Sequence, residues 1–325
     1  MDLIRIKRLI GADLNNVRDI MKGCLDSECF LLNSINEYLF NLNGKQIRPV
    51  LALLSAKACG NITDLSLHCA VVSEMIHTAT LLHDDVADNS DSRRGSPTVN
   101  ALFSPARAIL TGDFWLAKAL SLISKSKDVR ALAFFTKATT ELAEGELFQM
   151  QKASTLDITE EDYIFIVTKK TSSLFTATVG GAVYSSGADD LTIEQMEQYA
   201  YNLGIAFQIR DDIFDYMPDL DTGKNAGSDI REKKITLPLI YALAKAPQAE
   251  RQKMIEFISD SPGEDDNLPV KTLDFVRRYN GLALAQNTLD TYIDNAIELL
   301  NNAIPTSPYK EELIYIAHYI GNRNI

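Results

Sequence analysis

Apolar residues recur at helical spacing through most of the chain. Between positions 72 and 86 they fall at intervals of three and four residues, so one helix would bury a single stripe there. Proline-free stretches rich in Ala, Leu, Glu and Gln also favour helices, at residues 131–150, 194–216 and 271–301. Because alternation with period two is hard to find, the pattern predicts an all-α fold. We expect a single bundle of long, mostly antiparallel helices around a central cavity, where facing side chains build a site.

Two polar connections interrupt the helical pattern, at residues 218–234 and 259–269. Neither is long enough to force a domain boundary, and no repeat at solenoid spacing is present. The sequence is therefore predicted to form one domain over residues 1–325. Its hydrophobic content of 46% supports a large core and argues against disorder.

The chain is acidic, with 32 Lys and Arg residues against 44 Asp and Glu residues. A net charge of −12 argues against a nucleic-acid partner, although local basic clusters could still bind an anionic substrate. The four cysteines form no CxxC pair, which is typical of reduced thiols in a cytoplasmic protein. No signal peptide or transmembrane segment is expected, because no run provides about 20 mostly apolar residues.

The segment LLHDDVADNSDSRRG places Asp84, Asp85 and Asp88 at positions i, i+1 and i+4. At about 100° per residue, Asp84 and Asp88 lie about 40° apart on one helical face, with His77 about 20° from Asp84. Two carboxylates one turn apart repel each other, so a cation is expected nearby. Oxygen ligands favour Mg²⁺. Taken alone, this segment could equally be a solvated, acidic helix end.

A second segment, FQIRDDIFDY, repeats the spacing with Asp211, Asp212 and Asp215. Gln208 falls within about 60° of Asp211, on the side of Asp215. Here too the aspartates interrupt an apolar amphipathic pattern. Two such motifs could face each other across a bundle and hold several Mg²⁺ ions between them.

Basic residues cluster near both aspartate motifs. Each cluster alone would be ordinary solvated surface. Together with the aspartates, they suggest a diphosphate held through Mg²⁺ bridges and charge-assisted hydrogen bonds. The clusters are Lys45 and Arg48 in a GKxxRP element, Arg93 and Arg94, Lys170 with Thr171, and Lys224, Lys233 and Lys234.

Nine segments give the chain a resemblance to a known family, and they run nearly from end to end. They are GKQIRP, EMIHTATLLHDDVADNSDSRRG, GDFW, AEGELFQ, KKTSSLF, GIAFQIRDDIFDY, GKNAG, KKITLP and LIYIAHYIGNR. The chain resembles the trans-isoprenyl (polyprenyl) diphosphate synthases, and among them most the octaprenyl diphosphate synthases. The resemblance implies the isoprenoid synthase fold, a homodimer, and Mg²⁺ as cofactor with three ions per site.

The resemblance also implies a role for each matching residue. All six aspartates of the two motifs would be catalytic, and the metal would be held chiefly by Asp84, Asp88 and Asp211. The allylic diphosphate would be bound by Arg93, Lys170, Thr171, Gln208, Lys224 and Lys234. Isopentenyl diphosphate would be bound by Lys45, Arg48, His77, Arg94 and Phe207. His83 points elsewhere on the helical wheel and is expected to be structural.

The implied reaction is chain elongation from an allylic diphosphate, farnesyl diphosphate by resemblance. The allylic C–O bond ionises, the isopentenyl double bond attacks the carbocation, and a proton is lost. The implied product is a long-chain all-trans polyprenyl diphosphate, octaprenyl diphosphate, for quinone side chains. Short-chain members tend to carry an aromatic residue at the positions of Ala79 and Thr80, and both residues are small here. A shorter-chain (geranylgeranyl or farnesyl) diphosphate synthase is the alternative.

Four other protein classes fit the sequence less well. A terpene cyclase usually has an Asn/Ser/Glu metal triad as its second motif. An HD-type phosphohydrolase needs several histidine ligands, and the chain has only four histidines. A non-catalytic subunit of a heteromeric synthase would be expected to lose the aspartates. A purely structural helical protein would show no metal-dependent release of diphosphate.

The chain departs from the family pattern at three places. Asn43 precedes Gly44 where two glycines are usual. Arg210 stands where an apolar residue or Gln is common, and the wheel places it away from the metal face. Lys233 replaces the glycine of a Gly-Lys pair, which could stiffen or re-charge the loop that carries Lys234.

Overall fold

The computed structural model describes residues 3–42, 44, 46–93, 95–217, 227–262, 265 and 267–322. Three residues predicted to bind diphosphate, Lys45, Arg94 and Lys224, lie outside the described residues, as does Asn43. Within the described part, almost every element is helical, so the prediction of an all-α fold is confirmed.

The described helices are numbered α1 to α16 in chain order, and one short hairpin has strands β1 and β2. The elements are α1 Leu3–Leu25, α2 Phe30–Asn41, α3 Ile47–Cys59, α4 Asp64–Ala87, β1 Ser92–Arg93, β2 Ser96–Pro97, α5 Val99–Leu102, α6 Pro105–Ser124, α7 Val129–Thr155, α8 Glu160–Val167, a π-helical turn Thr168–Ser172, α9 Ser173–Ser185, α10 Asp190–Asp215, α11 Ser228–Arg231, α12 Leu237–Lys245, α13 Gln248–Asp260, α14 Asn267–Arg278, α15 Gly281–Ala303 and α16 Pro308–Asn322.

The chain divides into two compact units. The first unit comprises Met1–Thr140, Leu174–Ala200 and Glu298–Ile316. Its central helix is α4, which packs against α6, α3 and α1. A capping box starts α4, because Thr63 accepts the N–H of Ser66 while the Ser66 hydroxyl accepts the N–H of Thr63.

The second unit comprises Glu141–Ser173, Tyr201–Ile297 and Ala317–Ile325. In it α12 packs against α14 and α8, and α11 packs against α14. The C-terminal part of α10 is almost wholly buried, including Leu203, Ile209 and Ile213. This unit therefore holds the second aspartate motif on one of its most buried helices.

Two of the three helices predicted from composition are confirmed, and the third is wrong in extent. Residues 131–150 lie within α7, and residues 194–216 match α10 to within one residue at its end. The stretch 271–301 is not one helix, because it breaks between α14 and α15. Asn280 has a left-handed backbone (φ 59°), and a methyl group on Gly281 would collide with the carbonyl oxygen of Pro238. The Asn-Gly pair was the signal for this break.

Among the described residues, one helix, α4, is long and apolar enough to cross a membrane by length and composition, with a mean hydropathy of 1.3 over 18 residues. More than half of that window, 56%, is buried inside the protein. Such burial is what the core helix of a folded unit shows, so the evidence for a membrane span is weak.

Candidate functional site

The first aspartate motif lies at the C-terminal end of α4, in the first unit. Asp84 and Asp85 are in the last turn, and Asp88 caps the helix with its N–H donating to the carbonyl of Asp84 at 2.8 Å. The C-terminus of a helix carries partial negative charge, which disfavours carboxylates there. Both Asp84 and Asp88 are partly exposed. A bound cation would offset the repulsion among these groups.

Asp85 differs from Asp84 and Asp88, because it is only 5% exposed and its side chain makes an ion pair within the protein. Arg93 Nε, on strand β1, donates to Asp85 Oδ1 at 2.8 Å. The backbone carbonyl of Asp85 also accepts the N–H of Ser90 at 2.9 Å. Asp85 therefore holds the segment that carries Arg93 next to the end of α4. The sequence alone did not predict this ion pair.

His83 turns away from this cluster and packs against α6. Its Nε2 lies 3.2 Å from an Asp113 carboxylate oxygen and 3.3 Å from the carbonyl oxygen of Ile109. A methyl group on Gly112 would collide with the His83 ring, so the glycine of the GDFW segment permits this packing. The helical wheel predicted that His83 points away from the aspartate face, but not that it packs against α6.

The second aspartate motif lies at the C-terminal end of α10, in the second unit. Asp211 is exposed, whereas Asp212 and Asp215 are only 3% and 8% exposed. Asp215 Oδ2 accepts the N–H of Asp229, and its backbone carbonyl accepts the N–H of Gly227 at 2.9 Å. Asp215 thus ties the start of α11 to α10.

Both carboxylate oxygens of Asp212 accept hydrogen bonds from neighbouring side chains. Gln208 Nε2 donates to Oδ1 at 2.8 Å, and the hydroxyl of Tyr163 donates to Oδ2 at 2.6 Å. Thr171 Oγ1 in turn donates to Gln208 Oε1 at 2.8 Å. Burial and the nearby Asp229 carboxylate raise the pKa of Asp212 to about 7. This network joins the second motif to the turn that holds Thr171.

Lys170 lies in the π-helical turn Thr168–Ser172, next to Thr171. Its Nζ pairs with a carboxylate oxygen of Glu146 and donates to Gln149 Oε1 at 3.1 Å. Single π-helical turns inside α-helices occur frequently at functional sites. Neither the π-helical geometry nor these partners were predicted from the sequence.

Residues 30–272 match the polyprenyl synthetase family. The chain is 34% identical to the octaprenyl diphosphate synthase of Escherichia coli over the full length of both proteins. It is 37% identical to an all-trans-nonaprenyl-diphosphate synthase (geranyl-diphosphate specific) of Rhodobacter capsulatus, over 97% of this chain and 96% of that protein. The structure of a polyprenyl synthase from Caulobacter crescentus, complexed with calcium and isoprenyl diphosphate, superposes with a TM-score of 0.93 at 31% identity, covering 100% of this chain and 98% of that one.

The chain belongs to the polyprenyl synthetase family. Its fold is the all-α isoprenoid synthase fold, and the protein is a trans-prenyl diphosphate synthase, an enzyme that transfers prenyl groups. The resemblance found in the sequence is therefore confirmed at the level of family, fold and enzyme class. The roles of single residues stay predictions.

Two residues predicted to bind isopentenyl diphosphate lie in the first unit of this polyprenyl synthetase. Arg48 is in the first turn of α3, and its guanidinium lies 4.8 Å from the ring centroid of Phe175. His77 is on α4, partly exposed, and its carbonyl accepts the hydroxyl of Thr80 at 2.9 Å. Phe207, predicted to contact the hydrocarbon part, is partly buried on α10.

Lys233, which departs from the family pattern, adopts a left-handed backbone with φ 57°. Glycine reaches this region without steric cost, which explains why glycine is usual there. The Lys233 ammonium donates to the carbonyl of Ser259 at 2.7 Å. The next residue, Lys234, donates its N–H to the carbonyl of Asp229 at 2.8 Å and pairs with Glu232 at 2.6 Å. Asp229 in turn contacts Asp215, so the segment of Lys234 adjoins the second motif.

Arg210, the other departure on α10, is 6% exposed and lies 5.8 Å from the ring centroid of Phe214. Its Nε has no hydrogen-bond partner within the described part of the chain. Burial lowers the pKa of Arg210, and the carboxylate of Asp290 on α15 offsets part of this effect. The side chain is thus packed into the second unit, off the face that carries Gln208 and Asp211.

We expect Tyr163→Phe to lower the free energy of unfolding by roughly 1–3 kcal/mol, because it leaves a buried oxygen of Asp212 without its donor. Burial also raises the pKa of Tyr163, so its hydroxyl stays a donor at neutral pH. Urea denaturation of both forms measures the difference. Tyr309→Phe, at a partly exposed tyrosine on α16, is the matched control. Equal midpoints for the wild type and Tyr163→Phe would contradict the importance of this hydrogen bond.

Proposed function

We propose that this polyprenyl synthetase is a Mg²⁺-dependent enzyme that elongates an allylic diphosphate with isopentenyl diphosphate units. The proposed primer is farnesyl diphosphate and the proposed product octaprenyl diphosphate, for quinone side chains. The proposal rests on a difference in exposure among the aspartates of each motif. Asp84, Asp88 and Asp211 reach the surface of their units, while Asp85, Asp212 and Asp215 are buried and used by neighbouring side chains or backbone groups.

The exposed carboxylates fit Mg²⁺ by the chemistry of their donors. Mg²⁺ prefers oxygen ligands and is usually held by one or two carboxylates together with substrate phosphates. Among the described residues, no group of three or more His, Cys, Asp or Glu side chains could hold a metal by itself. The proposed Mg²⁺ ions would therefore complete their ligand sets with the diphosphate oxygens of a substrate. Asp84, Asp88 and Asp211 are the proposed ligands, with three ions per site.

Basic and polar side chains would bind and orient the two diphosphates. Lys170, Thr171 and Gln208 would hold the allylic diphosphate, since the hydrogen bonds of Thr171 and Gln208 already fix the turn beside the second motif. Arg93, which is held by its ion pair with Asp85, is a further proposed ligand of the allylic diphosphate. Bound Mg²⁺ would supply positive charge that stabilises the leaving diphosphate.

Isopentenyl diphosphate would be bound by Arg48 and His77, with Lys45 and Arg94 as proposed partners. The ring of Phe175 beneath the Arg48 guanidinium restricts where that charge can point. Catalysis then depends mainly on holding the isopentenyl double bond against the allylic carbon and on fixed positive charge around the departing group. No side-chain nucleophile is required.

We expect Arg48→Ala to raise KM for isopentenyl diphosphate and Lys170→Ala to raise KM for the allylic substrate. Losing one charged hydrogen bond costs roughly 1.5–3 kcal/mol, about ten- to a hundredfold. Steady-state kinetics with each substrate varied in turn measures both constants. Arg18→Ala, at an exposed arginine of α1, is the matched control. Equal effects of one variant on both substrates would show that the two binding sets are wrongly divided.

Mass spectrometry of the extracted product tests the chain length directly. A product of eight isoprene units from farnesyl diphosphate and isopentenyl diphosphate supports the proposal, and activity that disappears with chelator and returns with Mg²⁺ supports the metal. A product of four or fewer units would favour the shorter-chain alternative instead. The absence of Mg²⁺-dependent diphosphate release with both substrates would overturn the proposal.

We also propose that the enzyme is a cytoplasmic homodimer and that residues 1–325 form one domain. The family resemblance supports the dimer, and the unpaired cysteines support a reducing compartment. Light scattering on the purified protein tests the dimer.

A further inference from the structure

The segment AEGELFQ, residues Ala143–Gln149 on α7, carries part of the family resemblance but has no role so far. It belongs to the second unit, where it lies against the π-helical turn Thr168–Ser172. That turn holds Lys170 and Thr171, which are proposed to bind the allylic diphosphate. The contacts between the two segments indicate what AEGELFQ does.

Gly145 permits α7 to approach the backbone of the turn very closely. A methyl group at this position would lie 2.7 Å from Lys169 Cβ and 3.0 Å from the backbone nitrogen of Lys170. Atoms do not pack at such distances, so any side chain here would push the turn away from α7. Glycine is therefore required here because α7 and the turn lie so close together, and not because the backbone needs an unusual conformation.

The two polar residues that follow Gly145 by one and four positions both reach the ammonium of Lys170. Glu146 pairs with it through Oε2, and Gln149 accepts a hydrogen bond at 3.1 Å. An ammonium group has three N–H donors. One of them is donated to Gln149, and the ion pair with Glu146 keeps the ammonium on the α7 side, where its other donors can bind the oxygens of a diphosphate.

The opposite side of the turn is fixed in the same way. A methyl group on Gly204 of α10 would lie 2.7 Å from Ser172 Cα, and the Ser172 hydroxyl donates to the carbonyl of Tyr201 at 2.8 Å. Thr171 is bound to Gln208. The turn is therefore held between α7 and α10, and the direction of Lys170 is decided by the α7 side.

We infer that Glu146 and Gln149 are positioning residues for Lys170, and that Gly145 is the spacer that brings them within reach. A lysine side chain has four rotatable bonds, and two fixed acceptors remove most of that freedom before the substrate binds. The inference rests on the proposed function, because it takes Lys170 to bind the allylic diphosphate. It adds AEGELFQ to the machinery of the reaction.

A positioning role and a purely electrostatic role of Glu146 predict opposite results. If the carboxylate mainly neutralised Lys170, its removal would strengthen diphosphate binding. If it positions Lys170, removal weakens binding, and a neutral glutamine, which still offers an acceptor oxygen, restores most of it. Glu146→Ala and Glu146→Gln therefore form the decisive pair.

The experiment measures KM for farnesyl diphosphate and for isopentenyl diphosphate separately at saturating Mg²⁺. Glu146→Ala is expected to raise KM for farnesyl diphosphate about tenfold or more and to leave KM for isopentenyl diphosphate unchanged. Glu146→Gln is expected to stay within about threefold of the wild type. Glu141→Ala is the matched control, since Glu141 lies on the same helix and pairs with the neighbouring Lys169 at 2.9 Å. It should leave both constants unchanged.

Gly145→Ala should raise KM for farnesyl diphosphate more than Glu146→Ala does, because it displaces the turn itself. Circular dichroism of each variant shows whether the helices form. Should Gly145→Ala not fold, the Glu146 pair decides alone. A lower KM in Glu146→Ala, or equal effects on both substrates, would overturn the inference while leaving the proposed function intact. A wild-type enzyme without turnover of the two diphosphates would overturn the proposed function, and the inference with it.

Discussion

Asp84→Ala and Asp211→Ala should each lower kcat by roughly 10²–10³ without unfolding the protein, since removal of one preorganised electrostatic contact to the reacting group has that effect. Asp84 is partly exposed and Asp211 is exposed, so neither substitution opens a cavity in a packed core. Asp84 also stands at the negative end of a helix, where a carboxylate destabilises the metal-free protein. Turnover at saturating Mg²⁺ is measured together with the thermal midpoint.

Asp19→Ala on α1 provides the control for the loss of one exposed carboxylate. It should change neither kcat nor the thermal midpoint, since Asp19 is exposed and far along the chain from both motifs. Near-normal turnover of Asp84→Ala or Asp211→Ala would remove that residue from the proposed metal ligands. A large drop of the thermal midpoint would instead identify a structural role.

Thr80→Phe should shorten the product sharply while the first condensation survives. Thr80 lies one turn before Asp84, about 6 Å along α4 and about 40° around it, where the growing chain should pass. Among the described residues, its hydroxyl donates to the carbonyl of His77 in its own helix, so replacing it costs the fold little. Each isoprene unit excluded from an apolar tunnel loses burial worth about 0.8 kcal/mol per CH₂ group. Mass spectrometry of the product measures the length.

Thr78→Phe is the matched control, because Thr78 is partly exposed on the same helix but about 160° around it from Thr80. It should leave the product length unchanged. Ala79→Tyr is a poorer test than Thr80→Phe, since Ala79 is only 1% exposed and a larger side chain would overpack the interface of α4. If Thr80→Phe still makes a product of wild-type length, Thr80 does not line the path of the growing chain.

The sequence predicted those features of the site that follow from one helix at a time. Helical geometry is regular, so spacing alone placed Asp84 and Asp88 on one face of a helix and His83 away from that face. It could not distinguish Asp211 from Asp215, which it placed on one face. Asp215 is buried because it binds Asp229, fourteen residues further on, and that contact depends on how the chain folds back.

The features of the site that the sequence did not predict depend on contacts between different elements. The ion pair between Asp85 and Arg93 requires the β1–β2 hairpin, which has only two residues per strand and leaves no periodic pattern in the sequence. The π-helical turn around Lys170 is held by two glycines, Gly145 and Gly204, on different helices. A glycine within a helical pattern signals a close approach without saying which element approaches.

Trp115 is the only tryptophan in the sequence, and it belongs to the first unit. It is 2% exposed, and its indole N–H donates to Asn36 Oδ1 at 2.8 Å. Fluorescence excited selectively at tryptophan therefore reports the unfolding of the first unit alone, whereas far-ultraviolet circular dichroism reports the helices of both. Two such melting curves that coincide would show a single cooperative transition, and two that separate would show that the units lose their structure independently. The protein thus carries a built-in optical reporter for the cooperativity between its units, with no label or engineered residue.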